Sequence, residues 1–133
     1  MLEEQVRKDL VASFLLQKSN LTEVQLDTIL ASDREGNIEH KASLREKGKV
    51  SKGSFARTLN QGQENIESSI YTLFLLSYLN LVSPENLAQF SRTARMLGQL
   101  KDADPKREDL LRVVEAMKYF VHGFGGRKRK VIL

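Results

Sequence analysis

Along most of this chain apolar residues recur at intervals of three and four, the period of an amphipathic helix. Residues 3–17 are expected to form a first helix, with Val6, Leu10, Phe14 and Leu15 on one side. Ser19-Asn20 breaks it, and Thr22 with Gln25 has the spacing of a capping box that opens a second helix running to about Ser32. In that helix Val24, Leu26, Ile29 and Leu30 carry the apolar spacing. Residues 32–37 have turn chemistry and almost no apolar content, so they read as a surface loop. Residues 38–47 form a short helical candidate. Gly48 suits a left-handed C-cap behind it, and Val50 is placed to plug the corner before the next helix.

The longest stretch, residues 50–82, reads as one helix opened by the Ser51 hydroxyl, which is placed to cap the free amides of the first turn. Phe55, Leu59, Gly62, Ile66, Ile70 and Leu73 form one narrow stripe, at about 100° per residue. Opposite lie Ser54, Arg57, Gln61 and Glu64. Its first turns thus offer Lys52, Ser54, Arg57 and Gln61 to solvent while the other side packs, as major-groove reading requires. Further along, Ile70, Tyr71, Leu73, Phe74, Leu75, Leu76, Tyr78 and Leu79 leave hardly any polar face. A helix apolar all round is expected to be buried on several sides, either by the other helices or by a partner subunit. Asn80 is a stop candidate. Ser83-Pro84 then starts a helix to about Leu100, with Leu87, Phe90, Ala94 and Leu97 inward, and residues 101–104 link it to a second start at Asp104-Pro105. The last helix is expected to end near His122, before Gly123, Gly125 and Gly126.

Within the long helix, Val50-Ser51-Lys52, then Phe55, Gly62 and Ile66 resemble the recognition helix of the sigma-factor region-four helix-turn-helix. The likeness covers about twenty residues. It implies that Lys52, Gly53 and Arg57 face the groove, with Gly53 giving close backbone approach. Thr58 stands where that family places an apolar residue and Leu59 where it places a polar one. The turn Gly48-Lys49-Val50-Ser51 is one residue longer than the family's.

Charge sharpens this picture. The net +4 hides an acidic front, since residues 1–40 hold eight acids against four bases. Lys41, Arg45, Lys47, Lys49, Lys52 and Arg57 then face a single acid, Glu46, and Arg127, Lys128, Arg129 and Lys130 stand in the last seven residues. Positive charge therefore gathers at the helix-turn-helix candidate and at the tail, as expected of a protein that neutralises phosphates. Behind its glycines the tail can follow a phosphate backbone or minor groove, stay disordered, or dock Val131, Ile132 and Leu133 in a groove.

Other chemistries find little support. With no cysteine there is no disulfide framework, thiolate zinc site or cysteine nucleophile. His40 and His122 have no second ligand at metal spacing, and no glycine loop follows a strand to cradle phosphate. The longest apolar stretch is too short to span a bilayer.

The expectation is an all-α bundle of about six helices with a long central helix and a helix-turn-helix, a single domain over 1–126 followed by the basic tail 127–133. Its expected work is sequence-dependent binding of double-stranded DNA in transcriptional regulation, in the cytoplasm, as a homodimer through the apolar half of the central helix. No enzymatic activity, cofactor, metal or small-molecule substrate is expected. Affinity would come from Lys41, Arg45, Lys47, Lys49 and Arg127–Lys130, and sequence preference from Lys52, Ser54, Arg57 and Gln61. The alternative is a helical protein-interaction module that grips a partner around Leu75 and Tyr78, its charges serving solubility.

Overall fold

Each helix starts where a side chain satisfies amides that the first turn leaves free. The computed structural model describes residues 9–34, 40–41 and 50–124. In these lie α1 (Leu10–Lys18), α2 (Glu23–Ser32), α3 (Lys52–Tyr78), α4 (Pro84–Gln99), a 3-10 turn (Leu100–Ala103) and α5 (Arg107–Phe124). The protein is all-helical: five α-helices, one of them long, are present among the described residues, and no strand. None of these helices is long and apolar enough to cross a membrane.

Capping chemistry accounts for most boundaries. The Thr22–Gln25 capping box forms, with Gln25 N–H donating to Thr22 Oγ1 at 3.1 Å and Thr22 N–H to Gln25 Oε1 at 3.1 Å. Ser51 Oγ accepts from Ser54 N–H at 3.2 Å, and Ser83 caps α4 with Pro84 in the first turn. At the far end of α3, Asn80 takes a left-handed φ of 60°. There Leu81 N–H donates to Leu76 O and Asn80 N–H to Ser77 O, the paired bonds of a Schellman stop.

Three boundaries differ from expectation. The first described helix begins at Leu10, not residue 3, because extended Asp9 caps it and accepts from Ala12 N–H at 3.0 Å; residues 3–8 lie outside the described part. The linker expected at 101–104 is mostly helical, a 3-10 turn that ends at Asp104 in left-handed conformation. Asp104 consequently does not cap α5. Lys106 O accepts the first bond of that helix, from Leu110 N–H, while Asp109 Oδ2 reaches back to Lys106 N–H at 3.1 Å. Finally, α5 runs through Gly123 to Phe124.

The chain divides between Ile70 and Tyr71 into two compact units. In the first, Phe55 of α3 and Ala31 of α2 form a buried cluster against which Val50 and Leu59 pack. The buried positions of α2 are Asp27, Thr28 and Ala31, and not the larger Val24, Leu26, Ile29 and Leu30, which are half-buried. Thr28 fits there because its hydroxyl donates to Val24 O at 2.7 Å, so no polar group is left unpaired. On α1 the buried residue is Val11, and Leu15 is exposed. In the second unit the core is Val82, Val114 and Met117, with Phe124 ringed by Phe90 and Phe120 at centroid distances of 6.0 and 5.3 Å. Of the four residues expected inward on α4, Leu87, Phe90 and Ala94 lie at the surface and Leu97 is half-buried.

Candidate nucleic-acid interface

Two devices lock the front half of α3 in place. One is close approach: a Cβ built on Gly62 would lie 3.0 Å from Ile29 Cδ1 and 3.4 Å from Gln25 Cβ, so glycine lets α2 and α3 meet nearly backbone to side chain. The other is a polar clamp one turn further on. Asn65 Nδ2 donates to Asn20 O at 3.0 Å and to Gln25 Oε1 at 3.1 Å, while Asn20 Nδ2 returns bonds to Asn65 O at 3.1 Å and Ser69 Oγ at 3.0 Å. Gln25 thus serves both the cap of α2 and the side of α3. With Phe55 buried below, the rotation of α3 about its own axis is determined.

That rotation decides what faces out. Ser51, Lys52, Gly53, Arg57 and Gln61 are exposed, and Ser54 is half-buried over the cap. Neither Lys52 nor Arg57 forms an ion pair with a described residue. Both guanidinium and ammonium are therefore available to an external anion. Gly53 has open space where a Cβ would stand. Glu64, one turn past Gln61, is exposed too and brings a negative charge to the same side. The basic side chains of α3, Lys52 and Arg57, both lie in its first two turns.

Of the expected stripe Phe55 and Gly62 are buried and Leu59 half-buried, but Ile66 and Ile70 are exposed; of the expected wet side Arg57 and Gln61 are exposed and Ser54 is half-buried. At positions where the sigma-like pattern departs from the family, Leu59 is half-buried against the Ala31–Phe55 cluster and Thr58 is also half-buried. Lys41 is described and is half-buried. Arg45, Lys47, Lys49, Arg127, Lys128, Arg129 and Lys130 lie outside the described residues, as do most of the short helix expected at 38–47 and its turn. The positioning residues Asn20, Gln25 and Asn65 carry no signal of this role in sequence; only the capping-box spacing marked Gln25.

The back half of α3 departs from expectation. Tyr71, Phe74, Leu75, Tyr78 and Leu79, expected to be buried on several sides, are exposed by 53 to 86%. Leu73, Leu76 and Ser77, on the opposite side, are half-buried. Arg92 and Arg95 on α4 are exposed. In the second unit an open groove of about 180 Å³ runs between α4 and α5, lined by Met96, Leu97, Leu100, Met117 and Phe120 among others. Among the described residues no group of three or more acidic or histidine side chains is arranged to hold a metal ion.

The chain matches no protein-family model, no curated protein and no solved structure.

Proposed function

We propose that this protein binds double-stranded DNA through the front half of α3, as the second helix of a helix-turn-helix, and acts in transcriptional regulation. One observation carries the proposal: Arg57 and Gln61, four residues apart, stand exposed on the side of a helix opposite buried Phe55 and Gly62, with Lys52 exposed in its first turn. A basic helix face held at one rotation is the requirement for reading base edges, since phosphates position and base contacts specify. Arg57 is assigned a bidentate contact to guanine, worth about 1–3 kcal/mol of discrimination. Lys52 is assigned to phosphate.

Fluorescence anisotropy on random duplex and on a selected target tests this. Arg57→Ala is expected to shrink the ratio of target to random affinity about 5- to 150-fold, the equivalent of that discrimination, with a smaller loss on random duplex. Equal loss on both would remove Arg57 from the reading face, and no binding at low salt would remove the proposal. Gly53→Ala separates fold from contact. The open space around Gly53 and the helix preference for alanine predict stability unchanged or raised by up to about 1 kcal/mol. Affinity for DNA should nevertheless fall, because a methyl group would hold the backbone away from the groove. Unchanged affinity would show that Gly53 makes no close approach.

A second reading is favoured by a different observation, the 86% exposure of Tyr78 and the 56% exposure of Leu75. In it the protein is a helical interaction module without DNA affinity. Binding of a protein partner that survives moderate salt, with no anisotropy change on duplex, would support it.

A further inference from the structure

The exposed face of α3 points to a second copy of this chain as its occupant: we infer an isologous pairing of two α3 helices through Tyr71, Phe74, Leu75, Tyr78 and Leu79. These residues follow the spacing i, i+3, i+4, i+7, i+8, which places them on one side of the helix, and all five are more than half exposed. The polar atoms of their side chains are two phenol hydroxyls, which can stay wet at the rim of a contact. Leu73 and Leu76, on the other side of the helix, are half-buried.

Size and charge both select the occupant. Three aromatic side chains exposed by 65% or more, with two leucines exposed by more than half, offer on the order of 600 Å² per copy. A symmetric pair then buries about 1,200 Å², the lower bound of a stable specific interface. From Ser68 to Pro84 the chain has no charged residue. Two chains of net charge +4 can therefore meet here without setting like charges opposite one another, while an acidic or basic partner finds nothing to pair with. A single stripe on a straight helix is self-complementary under a two-fold axis, as an isologous contact demands. Left bare, this patch would exceed the few hundred Å² that monomers usually expose.

Sedimentation of the full chain without DNA, over a concentration series, reads this directly and independently of nucleic-acid binding. The expected species at micromolar concentration has twice the chain mass of 15.1 kDa. Leu75→Glu, at a site exposed enough to keep the fold, is expected to raise the dimer dissociation constant at least about tenfold. Because the chain contains no cysteine, a single introduced thiol reports its own neighbourhood. Among Tyr71→Cys, Phe74→Cys, Leu75→Cys and Tyr78→Cys at least one should form the covalent dimer on mild oxidation, while Met96→Cys on α4 should not. A single 15.1 kDa species at every concentration would overturn the inference. So would a dimer untouched by Leu75→Glu and linked through Met96→Cys, which would place the contact on the α4–α5 groove.

Discussion

Phe55→Ala is expected to lower the stability of the protein by about 3–5 kcal/mol, the usual cost of emptying a fully buried phenylalanine site. Phe55 is 1% exposed, packs on Ala31 and is the largest side chain fully enclosed among the described residues. Small domains hold only about 5–15 kcal/mol in total, so the variant should stand close to its unfolding midpoint at physiological temperature. Urea unfolding followed by far-UV circular dichroism measures the change. The neighbours argue for the upper part of the range. Val50 and Leu59 contact the cluster from the turn before α3 and from α3 itself, and a helix backbone bonded along its length limits how far Leu59 can collapse into the void. A loss below about 1 kcal/mol would mean that α3 is docked by Gly62 and the asparagine clamp, with Phe55 a passenger.

The second large effect concerns salt. Four phosphates neutralised by this chain would give a slope of about −3.6 in log affinity against log salt, so that affinity for random duplex falls roughly 150-fold between about 50 and 200 mM. The same anisotropy series repeated with residues 127–133 removed apportions the effect. If Arg127, Lys128, Arg129 and Lys130 all reach phosphate, the slope should lose about 0.9 for each of them. A slope unchanged by the truncation would assign the counterion release to Lys52, Arg57 and the bases of 41–49. A flat salt dependence would favour the interaction module, whose apolar contact is little screened.

What was legible in the sequence was chiefly what is local. Thr22 with Gln25, Ser51 with Ser54, and Ser83 with Pro84 each act within one helical turn, so their spacing alone announces the helix start, and each cap is present. The outward phase of Arg57 and Gln61 was equally legible, since a helix that buries Phe55 and Gly62 leaves those positions no other side. Longer-range matters were not. Nothing near Asn20 in the chain indicates Asn65, and small Ala31 and Thr28 are buried in preference to Leu26 and Leu30, because close helix approach favours short side chains over large ones. Asp104 illustrates a different limit: an aspartate before proline has the composition of an N-cap, yet the left-handed backbone that ends the preceding 3-10 turn places it outside the helix it was expected to start. On the back of α3 the apolar pattern predicted burial on several sides, yet Tyr71, Phe74, Leu75, Tyr78 and Leu79 are exposed; periodicity holds no information about what covers such a face.

The clamp between Asn20 and Asn65 has a consequence for how the first unit folds. Caps close within a few residues and form with their helices, on the microsecond scale of helix–coil relaxation. The clamp joins groups 45 residues apart, and Asn20 to Ser69 spans 49, so it can form only after the intervening chain has been brought round and its loop entropy lost. Helix formation should therefore run ahead of docking. Asn65→Ala is a substitution at a contact that closes late, and its destabilisation should appear mainly as faster unfolding, with the refolding rate nearly unchanged.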